Sequence, residues 1–291
     1  MARQIAMSAK PHGFAAPKPA AGDVLTRLLA KRHPLVMGVL NVTPDSFSDG
    51  GRFLDARAAI DHASRLAAEG ADILDIGAES TRPYGDAVRV PIEQERARLA
   101  PMLAEVVALG LPVSIDTMKS EIAAWALGLG AAVVNDVWGL QRDPGMAGVV
   151  AEHGASVVIM HNRDTADPAI DIVADVTDFF SRSLEIAGNA GISRGSIVLD
   201  PGIGFGKTSE QSLICIAHLD AWRGFGLPLM IGASRKRFIH SLAPSAPMER
   251  LGGSLAAHIL AVENGAAMVR VHDVAPTVQA LSVAAAIRRA R

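Results

Sequence analysis

Apolar positions in this chain fall into eight short runs, at residues 36–41, 73–79, 113–116, 133–136, 157–161, 197–200, 229–236 and 268–273. Each run ends in polar or ionisable residues: Asn41, Glu79, Asp116, Asp136, His161, Asp200, Lys236 and Asp273. A parallel strand covered on both faces reads as a continuous apolar run, and its exposed C-terminal end is the place where charge is tolerated. Between the runs the apolar spacing becomes helical. Residues 55–69 place Ala58, Ile60, Ala63, Leu66 and Ala67 on one face, and residues 93–109 do the same with Leu99, Met102, Leu103 and Val106. Further helices are predicted over 120–129, 145–153, 171–190, 249–264 and 276–289, the last opening with Pro276 at its first position. Glycines at 70, 110, 130, 154, 191 and 265 follow the helices as stops. Eight repeats of strand, polar end and helix predict an α/β fold, a single-domain (β/α)8 TIM barrel with its chemistry at one mouth. The barrel spans 22–291; residues 1–21, rich in Ala, Pro and Lys without periodicity, are expected to be a disordered tail.

Composition narrows the function classes. Of 291 residues, 49% are hydrophobic and 4% aromatic, so small aliphatics build the core. Lys and Arg number 28 against 30 acidic residues, a balance that predicts neither a nucleic-acid partner nor a membrane surface. One cysteine, Cys215, sits in an apolar run and reads as a core residue in a reducing cytoplasmic compartment. No run approaches a membrane span, and the N-terminus lacks a signal-peptide h-region.

Two strand ends carry long loops, residues 41–51 and 79–86, rich in Gly, Pro and polar residues. Long loops on the catalytic face of a barrel act as lids. Asp116 and Asp200 terminate strands directly, as does the pair Asn135–Asp136. One such carboxylate could merely cap the following helix. Three at one depth suit a ligand with adjacent N–H groups, such as an aminopyrimidine. Arg235 and Lys236 end the seventh run, and Arg270 and His272 alternate onto one side of the eighth, where barrels bind phosphate. A salt bridge to a neighbouring carboxylate is the structural alternative for Arg270. Phe205, beside Lys207 in a glycine-rich loop, reads as a wall for a flat substrate rather than part of a phosphate loop. Histidines lack metal-ligand spacing, so a Mg²⁺ held mainly by substrate oxygens with one neutral Asn fits better than a protein-only site.

Residues 41–51, 79–83, Asp116, Asn135–Asp136, 200–207, 234–236 and 270–274 together resemble, in order, the motifs of the dihydropteroate synthase family of bacterial folate synthesis. The resemblance implies a transferase that condenses 6-hydroxymethyl-7,8-dihydropterin diphosphate with p-aminobenzoate. It implies a pterin pocket of Asp116, Asn135, Met160, Asp200 and Lys236. A diphosphate site would comprise Asn41, Thr81, Arg82, Arg270 and His272, with Mg²⁺ at Asn41. A p-aminobenzoate site would comprise Phe47, Ser48, Pro83, Phe205, Ser234 and Lys236, and Asp49 would stabilise a cation. Catalytic roles fall to Asp49, Asp200, Lys236 and Arg270, in a cytoplasmic homodimer and sulfonamide target. Tyr84 and the segment 160–163 depart from the family pattern. Three rivals are a non-catalytic pterin-binding paralogue, a methyltetrahydrofolate–corrinoid methyltransferase, and a Schiff-base aldolase in which Arg235 depresses the pKa of Lys236.

Overall fold

The computed structural model describes residues 22–31, 33–42, 52–79 and 90–290. Eight strands alternate with helices along the chain: α1 (Gly22–Leu29), β1 (Leu35–Asn41), α2 (Arg52–Ala68), β2 (Ile73–Gly77), α3 (Ile92–Leu99), α4 (Leu103–Val107), β3 (Val113–Asp116), α5 (Ser120–Gly128), β4 (Val133–Asp136), α6 (Met146–Glu152) and β5 (Ser156–Met160). There follow α7 (Ile172–Asn189), β6 (Ile197–Asp200), α8 (Ser209–Ala217), β7 (Met230–Ile231), α9 (Arg237–Leu242), α10 (Leu251–Glu263), β8 (Met268–Val271) and α11 (Val274–Arg289). All strand pairs are parallel, in the order β6-β5-β4-β3-β2-β1-β8-β7, and a bridge from Leu199 to Leu229 draws the two ends together. This is the expected (β/α)8 barrel.

Strand alternation sorts the core into two zones. Val36, Leu40, Leu74, Ile115, Val134, Val157, Leu199, Ile231 and Val269 pack outward against the helices. Leu35, Met37, Ile73, Val133, Val158, Val198, Met230 and Met268 fill the barrel's lower interior. Val24, Leu25 and Leu28 of α1 join that inner cluster and plug the bottom. The apolar floor leaves polar side chains only one way to point, toward the C-terminal mouth.

Four elements differ from the sequence expectation. The helix expected over 93–109 breaks into α3 and α4, because Pro101 has no N–H to give and its ring crowds the preceding turn. In the last helix, Pro276 occupies the third position of α11 rather than the first, where its missing N–H still costs nothing. The tract between β6 and β7 carries α8 and a 3₁₀ turn over Leu219–Phe225. Its helix signal is a capping box, in which the Thr208 hydroxyl and Gln211 side chain each accept the other's backbone N–H. The seventh strand shortens to two residues, so Gly232–Lys236 forms a loop over the mouth. No helix among the described residues is long and apolar enough to cross a membrane.

Candidate active site

A cavity at the C-terminal mouth is lined by Asp116, Asn135, Val137, Met160, Asp200, Ile203, Phe205, Gly232, Lys236 and Arg270. Five of the predicted pterin-site residues, Asp116, Asn135, Met160, Asp200 and Lys236, therefore converge. Phe205 and Arg270 join them. Residues 43–51 and 80–89, which hold Phe47, Ser48, Asp49, Thr81, Arg82, Pro83 and Tyr84, lie outside the described residues.

Beneath the cavity lies a carboxylate that the strand-end reading passed over. Asp75 is the middle residue of β2 and is fully buried. Its Oδ2 accepts from Arg270 Nε at 2.6 Å and from Asn135 Nδ2 at 3.1 Å. Arg270 Nη2 reaches the Asp116 Oδ2 at 2.7 Å. Arg270 thus takes the salt-bridge alternative, inside the barrel between two carboxylates and not at the rim beside His272. A signal for this was present: among the eight strands, Asp75 and Arg270 are the charges that do not stand at a strand's end, and they are of opposite sign.

One guanidinium between two buried carboxylates leaves an excess negative charge. Burial first, and then the nearby Asp75 and Glu95, push the Asp116 carboxyl up to about 7, with Arg270 and Lys236 acting against them. Among the described residues, Asp116 Oδ1 and Asn135 Oδ1 have no hydrogen-bond partner although both are buried. Orphaned buried acceptors are costly, and two of them lining one cavity call for a ligand that brings donors.

Asp200 ends β6 on the opposite side. Burial pushes it up to about 6, with the Gly202 N–H and the cations of Lys236, Arg270 and Lys207 acting against burial. Its Oδ1 accepts from Gly202 N at 2.7 Å. Asp136, of similar depth in sequence, turns elsewhere. Its carboxylate caps the next turn by accepting from Trp138 N and Leu140 N at 2.9 and 2.7 Å, and it does not line the cavity. The apolar wall is Val137, Met160 and Phe205, with Met118 and Trp138 packed against it. Lys236 Nζ lies 4.1 Å from the Phe205 ring centroid, a cation–π contact that joins cation and wall.

The loop carrying Phe205 is held against β5 with little clearance. Gly202 has φ +68°, and a Cβ there would sit deep within van der Waals contact of the His161 carbonyl oxygen. Gly202→Ala is therefore expected to cost at least about 2 kcal/mol in urea unfolding and to displace the Phe205 wall. An unchanged unfolding midpoint would show that this packing is not tight.

The same loop buries a polar chain. Lys207, read from sequence as a neighbour of the wall, lies inside the fold and donates to His161 Nδ1 at 2.6 Å and to the Phe205 carbonyl at 3.2 Å. His161 Nε2 then donates to Asp175 Oδ2 at 2.9 Å. Burial, followed by the Lys207 charge, pushes His161 down to about 3, so it stays neutral and bridges the two. Arg163 completes the chain with a 2.8 Å bond to Asp175 Oδ1. The segment 160–163, where the sequence departs from the family pattern, thus anchors this loop through its own side chains.

At the rim, Ser234 Oγ accepts from the His272 backbone N–H at 3.2 Å and lies 3.0 Å from His272 Nδ1. Ser234 thereby sits with the predicted anion site. A second cavity, at the ends of β1 and β8, is lined by Asn41 and His272 together with Arg235, Arg65 and His62. Arg235 is committed to Asp273 by two bonds of 2.6 and 3.0 Å. That ion pair offsets the guanidinium charge on which the aldolase rival relied.

The pterin-binding enzyme family matches residues 37–272, which include every described residue of the site. The chain belongs to this family. Within it, the chain is 42% identical over 245 residues to the dihydropteroate synthase of Bacillus subtilis, covering 84% of this chain and 85% of that one. It is 41% identical to the Escherichia coli dihydropteroate synthase, with 89% and 93% covered. A pterin-binding enzyme from Clostridium difficile, a dihydropteroate synthase solved in the presence of pteroic acid, superposes with a TM-score of 0.85 at 42% identity over 89% of this chain and 98% of its own. The Xanthomonas albilineans dihydropteroate synthase in complex with 7,8-dihydropteroate gives 0.80 at 43% identity over 88% and 94%.

Proposed function

We propose that this chain catalyses the condensation of 6-hydroxymethyl-7,8-dihydropterin diphosphate with p-aminobenzoate to give 7,8-dihydropteroate and pyrophosphate. The observation that carries this reading is the pair of buried, partnerless acceptors on Asp116 and Asn135 facing one cavity, with Asp200 across from them. Adjacent ring and exocyclic N–H groups of a pterin supply the donors. Met160 covers a flat face of the ring, and Lys236, stacked on Phe205, sits between the ring and that part of the wall.

The C–O bond to the diphosphate breaks first, and the electron pair leaves with pyrophosphate. The methylene cation that remains is delocalised into the pterin ring. Asp200, held ionised above pH 6 by its neighbours, opposes that charge across the site. The arylamine is neutral at pH 7 and attacks the methylene; its proton is lost to solvent or pyrophosphate. No general base is required. His272, oriented by Ser234, takes the departing charge at the rim, and Arg270 joins it by giving up Asp116 for the diphosphate. By motif, Thr81 and Arg82 go to the diphosphate subsite, Phe47, Ser48 and Pro83 to the p-aminobenzoate subsite, and Asp49 to stabilisation of the cation.

A Mg²⁺ fits this arrangement in one form. No group of three or more His, Cys, Asp or Glu among the described residues could enclose a metal, whereas Asn41 shares a cavity with His272. Its amide oxygen is a hard, neutral donor suited to an ion whose other ligands are phosphate oxygens and water. Bound there, the ion would neutralise leaving-group charge.

We further propose a cytoplasmic homodimer. Leu260, Val283 and Ile287 on α10 and α11 are exposed apolar side chains, compatible with an interface on these late helices. A Yersinia pestis relative was solved with a sulfonamide drug, and the same class of compound would compete here for the p-aminobenzoate subsite. The deciding assay is pyrophosphate release by purified protein with the pterin diphosphate, p-aminobenzoate and Mg²⁺. Release that requires both substrates is expected. Silence from folded protein would favour a non-catalytic pterin binder.

A further inference from the structure

We propose that Asp75 is a positioning residue that joins recognition of the ring to recognition of the diphosphate: it holds Arg270 by Nε, so that Nη2 can exchange the Asp116 carboxylate for the anion, and it fixes Asn135 with its amide oxygen toward the ring. This inference rests on the pterin diphosphate reading above and names a residue outside its three subsites.

Asp75 does not line the mouth cavity, although both residues it bonds do. It therefore acts through them. A carboxylate only accepts, so the Asn135 amide must turn its Nδ2 toward Asp75 and present Oδ1 to the cavity. On the other side, Asp75 grips Arg270 at Nε, close to the aliphatic stem, and leaves the tip of the fork on Asp116. The guanidinium can swing about that grip. Ring N–H groups that take the free Oδ1 of Asp116 draw on the same carboxylate charge and weaken its hold on Nη2 at Oδ2, and diphosphate oxygens are the stronger acceptor that the incoming ligand carries. A fully buried carboxylate in mid-strand is an expensive way to fill a barrel that an aliphatic would fill at lower cost. Its two contacts are with the residues that need direction.

The proposal makes Asp75 a source of discrimination between ligands with and without the diphosphate. Calorimetry on the intact protein with Mg²⁺, without p-aminobenzoate, would compare 6-hydroxymethyl-7,8-dihydropterin with its diphosphate. In Asp75→Ala both ligands should weaken about tenfold through loss of the Asn135 orientation, and the diphosphate by about a further tenfold through the unanchored Arg270. Equal losses for the two ligands would overturn the proposal.

Asp75→Asn serves as the second variant, and decides the matter if the alanine variant does not fold. It is isosteric, and its carbonyl oxygen can keep both bonds while the charge is lost. Asp116 faces Arg270 from β8, Asp75 from β2, Glu95 from α3 and Lys236 from the loop after β7. Removing the Asp75 charge takes away one of the repulsions that raise the Asp116 carboxyl. The acid limb of pterin binding should then move to lower pH than in the wild type; an unmoved limb counts against the proposal. Wild-type protein that binds neither ligand would instead overturn the functional reading, and this inference with it.

Discussion

Asp116→Asn should lower pterin affinity by about a hundredfold or more while leaving the fold intact. Asp116 serves two donors at once, with Arg270 on Oδ2 and the cavity on Oδ1. An asparagine has one oxygen to offer. Whichever way it turns, its amide N–H₂ faces either the guanidinium or the ligand's own N–H groups. A buried donor set against a donor, together with loss of the charged acceptor, costs about 3 kcal/mol or more, and a site built for hydrogen bonds penalises a missing partner heavily. Thermal stability should not fall, because the substitution removes the excess negative charge around Arg270. Calorimetric titration with a pterin checks the first statement and a melting curve the second. Unchanged affinity would remove Asp116 from the pocket.

The same residue sets a pH dependence with two signs. Its carboxyl titrates at about 7 in the folded protein against 3.8 ordinarily. The folded state therefore holds a proton that the unfolded state releases, and this contribution to stability is lost as pH rises through 7. Ligand binding runs the other way, since ring donors need the ionised form. Pterin affinity should rise through pH 7 in the wild type, and that limb should vanish in Asp116→Asn, leaving the lower titration of Asp200 near 6.

Arg270→Ala should be the most destabilising substitution at the site. It leaves Asp75 and Asp116 buried together without their shared cation, and breaking a buried ion pair from one side costs about 3–5 kcal/mol. Without the guanidinium the Asp116 carboxyl would titrate higher still, so the folded state would bind a proton that the unfolded state does not. The loss should accordingly be larger at pH 8 than at pH 5. Urea unfolding at the two pH values tests this, and equal losses would contradict the shared-cation account. Arg270→Lys should recover part of the stability by restoring charge. It should not recover diphosphate binding, since one ammonium cannot span Asp75 and reach a second acceptor as the planar fork does.

Legibility in the sequence followed exposure. Strand ends were readable because a barrel concentrates its polar residues there, and Asp116, Asn135, Asp200 and Lys236 do meet in one cavity. Asp75 was hidden by the rule that found the others, since a charge in mid-strand looks like noise in an apolar run. Arg270 was read as a rim cation because alternation gives the side of a strand and not the depth or reach of a long side chain. Asp136 shows the converse: it shares the strand-end position of its neighbours but spends its carboxylate on two backbone N–H groups of its own turn. Lys207 and His161 lie 46 residues apart, and nothing local to either indicates that they are hydrogen-bonded.

The sequence by itself determined the eight-stranded barrel, its polar mouth and the family motifs, because periodicity and strand-end chemistry are properties of neighbouring residues. Only the tertiary structure decided who pairs with whom: Arg270 with Asp75 and Asp116, Ser234 with His272, Arg235 with Asp273. Those choices depend on distances across the barrel, where charges from different strands must neutralise one another in a medium that gives them little water.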